Sequence, residues 1–222
     1  MQTLYLIRHT TPEVTPKTCY GQLDVEVADT FEEEAQHVRH WLPPVELVLA
    51  SPLRRTQRLA AHLARLHGCE MRSDARLMEK HFGAWEGKAW DEIARSEIDA
   101  WAADVIGYAP PGGESALQLM QRVEGALHDI AQLPQRDIAI VAHAGSIRAL
   151  LALLAGIPLA HTLVAFPFVV RSLVPALRSI SPRLHQAAAV MGASPRQVVR
   201  RIDLPLVGRA LLVAATFAFT IS

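Results

Sequence analysis

The stretch LYLIRHT, residues 4–10, sets an apolar run directly against Arg8 and His9. Two other apolar runs also end on polar groups: VELVLA (45–50) on Ser51-Pro52, and IAIVA (138–142) on His143-Ala144-Gly145. A packed core would not select such groups. Gathered at strand ends they are suited to bind an anion, because guanidinium is a fixed cation with planar donors and imidazole is a nitrogen base near neutral pH. Arg55, in SPLRRTQRLA (51–60), adds a further cation. Two motifs supply acids, Glu79 in LMEKHFGAWEG (77–87) and Glu114 in PGGES (111–115).

Side chains so far apart in sequence need a scaffold that gathers them. The three apolar runs are short and rich in β-branched residues or bounded by polar ones, which predicts strands buried on both faces. Helical periodicity fills the spaces between them. Asp29 is the expected N-cap of residues 29–42, followed by first-turn acids. Leu59, Leu63 and Leu66 form one stripe of a helix that stops at Gly68, and helices are expected to begin at Ser115 and Ser146. Strands alternating with helices predict an α/β fold with a mainly parallel sheet. Ligands bind such sheets beyond the carboxyl ends of the strands. Arg8-His9, Ser51 and His143 would all lie along that rim.

The chain has 222 residues, half of them hydrophobic, with 22 basic and 22 acidic side chains. That composition supports a sizeable core and gives no sign of a nucleic-acid partner. Neutrality hides an asymmetry: residues 165–222 carry seven arginines and one acid, Asp203, leaving 15 basic and 21 acidic residues in the first 164. Cys19 and Cys69 form neither a disulfide framework nor a metal-ligand spacing. With no signal peptide after Met1, residues 1–164 are expected to be cytoplasmic and to need no cofactor or metal.

In order and spacing, LIRHT, SPLRRTQRLA, LMEKHFGAWEG, PGGES and VAHAGSIRALL together resemble the histidine phosphatase superfamily, the phosphoglycerate-mutase-like enzymes, over residues 1–164. The resemblance implies a three-layer α/β sandwich and a metal-independent phosphomonoesterase acting on a small phosphorylated substrate. It makes His9 the nucleophile that becomes phosphorylated. Arg8, Arg55 and His143 match the phosphate pocket and Glu79 the acid that protonates the leaving group. Glu114 is the alternative acid and a candidate substrate contact. The residue types suit the chemistry: phosphoryl transfer needs an in-line nucleophile and fixed positive charge around the equatorial oxygens.

The broader family has Gly-Glu-Thr after the Arg-His pair, where this chain has Thr10-Thr11-Pro12. That departure, with CYGQLDVEVAD (19–29) and FGAWEG, resembles the α-ribazole phosphatases of cobalamin biosynthesis. Gly21 and Gln22 would then lie at the bound phosphate, glycine permitting close backbone approach and the amide donating a hydrogen bond. The remaining histidines are expected to be surface or packing groups, Arg54 and Arg58 to face solvent, and Trp85 and Trp90 to wall the cleft or fill the core.

Residues 165–222 depart from the superfamily, which would return with one more strand. QAAAVMGASPRQVVRRIDLP (186–205) resembles instead the cytoplasmic coupling loop of ATP-binding-cassette importer permeases, with Gln186 in place of the usual glutamate and Gly192 and Ile202-Asp203-Leu204-Pro205 in register. The final apolar stretch, 206–222, contains Arg209 and is shorter than the roughly 20 residues of a spanning helix. An α-helical extension, read as a permease fragment in contact with a membrane or an ATPase subunit, is therefore expected. Two alternatives stay open: a transporter component with a passenger phosphatase, and a phosphate-binding pseudo-enzyme.

Overall fold

The computed structural model of the chain describes residues 2–156, 180–181, 184, 195–198, 205–206 and 208. It divides into two compact units, Met1–Gly156 and Ile157–Ser222. In the second, the helical turn Pro195–Val198 is described, and Leu184, Pro205, Leu206 and Gly208 are also helical. The expected boundary at residue 164, the absent last strand and nearly all of the permease-like motif lie outside the described residues. Among the described residues no helix is long and apolar enough to cross a membrane.

The first unit is built on four parallel strands in the order β1-β4-β2-β3: β1 (Thr3–Arg8), β2 (Leu47–Ala50), β3 (Glu70–Ser73) and β4 (Asp137–Ala142). The helices are α1 (Phe31–Trp41), α2 (Arg54–His67), α3 (Arg95–Ala103), α4 (Ala116–Ala131) and α5 (Ala144–Ala155). Strand side chains alternate between the two faces of the sheet. Val48, Ala50, Ala139 and Val141 therefore join Phe31, Ala35, Leu59 and Leu63 of α1 and α2, while Leu47, Leu49, Ile138, Ile140 and Ala142 join α4 and α5. Each fully buried Leu or Ile stabilises this three-layer arrangement by roughly 1.5–3 kcal/mol.

The helix ends follow local chemistry. Gly68, at φ 62°, closes α2 in the left-handed conformation that glycine adopts without strain. Ser115 caps α4, its hydroxyl accepting from Gln118 N while the Gln118 side chain accepts from Ser115 N. Two starts differ from expectation. Thr30, not Asp29, is the N-cap of α1, and α5 begins at Ala144 rather than Ser146. The reason is that His143 takes the cap position and donates its N–H to the Ser146 hydroxyl at 3.1 Å. The segment between β3 and α4 packs on Cys19 of the loop between β1 and α1, making a small core of Cys19, Trp85 and Ile93 against which Phe82, Ile98, Trp101 and Tyr108 lie. Trp85 is thus a core residue, and Trp90 stacks on Trp101 at 5.9 Å.

Candidate active site

The carboxyl ends of β1, β2 and β4 bring the predicted groups together. His9 follows the last residue of β1 and is 7% exposed; its ring centroid lies 5.1 Å from that of His143, which is fully buried after β4. The Nδ1 of His9 lies 2.6 Å from the Thr10 carbonyl. A carbonyl can only accept, so that nitrogen holds the proton and Nε2 keeps its lone pair. His143 meets the Ser51 hydroxyl through Nε2 at 2.8 Å, and that hydroxyl accepts from Leu53 N. The His143 Nδ1 has no hydrogen-bond partner.

Both rings are held neutral. Burial is the main cause in each, with Arg55 and Arg8 repelling a second positive charge, so His9 is pushed down to about 4 and His143 to about 2. Arg8, exposed at the end of β1, and Arg55 are thus the positive charges felt by both imidazoles. Arg55, fully buried at the start of α2, donates from Nη2 to Gly21 O at 2.6 Å and from Nη1 to Leu23 O at 2.9 Å, while its Nε has no hydrogen-bond partner.

Glu79 reaches the same rim from the irregular segment after β3. Its carboxylate accepts from Gly145 N, at 3.0 Å to Oε1 and 3.2 Å to Oε2, and from Lys80 N at 2.8 Å. A Cβ at position 145 would collide with Oε1, so glycine is what lets the acid dock on the first turn of α5.

The other candidates are engaged by protein groups. Gln22 donates its amide to the Glu79 carbonyl at 3.0 Å rather than into the phosphate pocket, and its N–H goes to Glu86 Oε1. Gly21 has φ 28°, and a Cβ there would strike Glu86, Lys80 O and Phe82. Its smallness therefore serves loop packing, while its carbonyl holds Arg55. Glu114 is bound by Arg122 through both oxygens, at 2.6 and 3.0 Å, and accepts from His81 N. Arg54 pairs with Asp24 and Glu26 at the surface, and Arg58 covers the Phe31 ring at 4.3 Å.

Sequence reasoning passed over several supporting residues. Arg122 donates to the carbonyls of Arg76, Met78 and Glu79 as well as to Glu114, so one guanidinium fixes the acid-bearing segment. In the sequence Arg122 stands only as one arginine within the helix expected from Ser115. Glu86, in FGAWEG, ties Gln22 N to Phe82 N. Arg148, half-buried on α5, lies within electrostatic reach of Glu79 and Arg8. Among the described residues no cluster of three His, Cys, Asp or Glu side chains is placed to hold a metal ion.

The model of the histidine phosphatase superfamily (branch 1) matches residues 4–167, and the chain belongs to that superfamily. It is a phosphatase of this class, similar to relatives that remove phosphate from small molecules. Glucosyl-3-phosphoglycerate phosphatase of Mycolicibacterium vanbaalenii is 32% identical over 169 residues, covering 70% of this chain and 75% of that one. The α-ribazole phosphatase structure from Shigella flexneri superposes with a TM-score of 0.67 at 26% identity, over 72% of this chain and 82% of that one. The native mycobacterial glucosyl-3-phosphoglycerate phosphatase structure gives 0.61 at 30% identity, over 72% and 82%.

Proposed function

We propose that the chain hydrolyses phosphomonoesters through a phosphohistidine formed on His9, without a metal. The observation that carries this reading is the paired neutral histidines, 5.1 Å apart between ring centroids, with the His9 proton tied to Thr10 O. A neutral imidazole with a free Nε2 is a nucleophile at pH 7. Arg8, Arg55 and His143 supply donors and positive charge for the equatorial oxygens, the task of electrostatic stabilisation in phosphoryl transfer. Glu79 delivers the proton to the leaving alkoxide. Arg122 holds Glu114 too firmly in an ion pair for that role, and Glu114 acts instead on the pose of the acid-bearing segment.

For the ester, the loop from Thr10 to Ala35 and the likeness to solved α-ribazole phosphatases support α-ribazole 5′-phosphate, a step of cobalamin biosynthesis. The glucosyl-3-phosphoglycerate phosphatases make their own ester the natural competitor. Glu79→Gln is expected to slow α-ribazole 5′-phosphate by ~10²–10³-fold and p-nitrophenyl phosphate by less than ~10-fold, since only the alkoxide needs a proton in the transition state. Equal losses on both esters would remove the acid role from Glu79. A wild-type kcat/KM higher for glucosyl-3-phosphoglycerate would replace the cobalamin reading.

Residues 165–222 are read, on the coupling-loop motif and their excess of seven arginines over one acid, as a permease-like segment that brings a cytoplasmic phosphatase to the inner membrane or to an ATPase subunit. The full chain is then expected to sediment with membranes, and the chain cut after residue 164 to stay in the supernatant. Full recovery of the intact chain in the supernatant would rule the segment out as an anchor.

A further inference from the structure

Three buried polar atoms without a hydrogen-bond partner belong to residues that follow the strands: Arg55 Nε in the first turn of α2, His143 Nδ1 and Thr10 Oγ1. The first two belong to the phosphate pocket proposed above. The third is unexplained, because nothing in the family pattern calls for a hydroxyl beside the nucleophile, where the broader pattern has glycine. Thr10 is 3% exposed. A hydroxyl buried without a partner lowers stability, and valine would fill the same volume without that penalty. The turn that carries it is held firmly. His9 N donates to Ala142 O at 3.1 Å, His9 Nδ1 meets Thr10 O, and Ala28 N donates to Thr11 O at 2.9 Å. Thr11 N is taken by Glu34 Oε2, also at 2.9 Å. No protein group among the described residues relieves the hydroxyl.

We propose that Thr10 Oγ1–H donates a hydrogen bond to an equatorial oxygen of the phosphoryl group in transit, which makes Thr10 a catalytic residue beside Arg8, Arg55 and His143. The inference rests on the reading of His9 as nucleophile. The P–O ester bond breaks as the bond from phosphorus to His9 Nε2 forms, and the alkoxide takes its proton from Glu79. Water then attacks phosphorus, the P–N bond breaks, and the proton released by water returns to the Glu79 carboxylate. Thr10 keeps its own proton throughout. Its hydroxyl is unpaired in the protein alone and becomes paired when the phosphoryl group is present.

This assignment sets stability and activity against each other. Thr10→Val removes the unpaired hydroxyl, so the ligand-free protein is expected to melt at a higher temperature. Its kcat/KM for p-nitrophenyl phosphate should nonetheless fall ~10–100-fold, and the Ki for inorganic phosphate should rise ~10-fold, the cost of one hydrogen bond to a charged group. Thr10→Ser keeps the donor and is expected to stay within ~3-fold of the wild type. Should the valine variant misfold, Thr10→Ser and Thr10→Ala differ by the hydroxyl alone and carry the same comparison. Unchanged kcat/KM and Ki in Thr10→Val, or equal activity in the serine and alanine variants, overturns the assignment while leaving the phosphatase intact. A wild type unable to hydrolyse p-nitrophenyl phosphate or α-ribazole 5′-phosphate overturns the phosphohistidine reading itself, and this one with it.

Discussion

Replacing His9 with alanine is expected to lower turnover by ~10⁴-fold or more while the protein still folds. The size follows from the role: no other described side chain offers an imidazole Nε2 with its lone pair free at this rim. His143 cannot substitute, since its Nε2 is already joined to Ser51. Wild-type enzyme mixed with a radiolabelled phosphoester and denatured in alkali, where a phosphoramidate survives, should retain label on the protein. The alanine variant should retain none. Folding should survive although His9 is buried rather than exposed as a strand-end side chain would suggest, because the ring makes one backbone hydrogen bond and its loss leaves a small cavity. Labelled protein in the alanine variant would move the nucleophile elsewhere.

The second large effect is on stability in mild acid. His9 titrates at about 4 in the folded protein against 6.5 when exposed, chiefly because burial disfavours its charged form. Such a group contributes stability in full above pH 6.5, where neither state binds the proton. Between 6.5 and 4 the unfolded chain takes up a proton that the folded one refuses, and the contribution is lost. For His9 the loss amounts to about 3 kcal/mol by the foot of that window. His143, driven by burial to about 2, adds a loss of the same sign that continues below it, and His67 is lowered by burial as well. The carboxyls of Asp74 and Glu34, lowered by their hydrogen bonds, add a loss of the same sign that begins only near their ordinary values of 3.8 and 4.5 and runs downward, so it reaches no higher than the foot of the window. Thermal midpoints measured from pH 7.5 to 4.5 should therefore fall steeply, and less steeply in the His9→Ala variant. A flat profile between 6.5 and 4.5 would show that the imidazoles are not held neutral.

Strands β2 and β4 were legible because burial on both faces writes an uninterrupted apolar run. β1, expected to be buried on both faces, is half-buried at an edge of the described sheet and was legible from its apolar run alone, and three candidate residues were legible because they stand where those runs stop. β3, Glu-Met-Arg-Ser, was not, since an edge strand with mostly exposed side chains has no apolar signature. The segment from Asp74 to Glu114 was opaque for a different reason: its short turns are held by distant partners such as Arg122, which local pattern cannot reveal. Gln22 and Glu114 show the same limit from the other side. Their polar character marked them for a ligand, while in the fold Gln22 supports the Glu79 segment and Glu114 pairs with Arg122. Thr10 and Ser51 were read as neighbours of the site, and only their burial and hydrogen-bond state gave them distinct parts.

The strand order has a consequence for when activity can arise. β4 is the common neighbour of β1 and β2, pairing Leu6 with Ile140 on one side and Leu49 with Ile140 on the other. Until residues 137–142 have left the ribosome, the strand bearing His9 and the strand leading to Arg55 share no edge. The partial chain can hold a nucleophile and a cation, but in separate pieces. On the His9 reading, hydrolysis then waits for this central strand, and chains that stop short of residue 137 are expected to leave phosphoesters untouched.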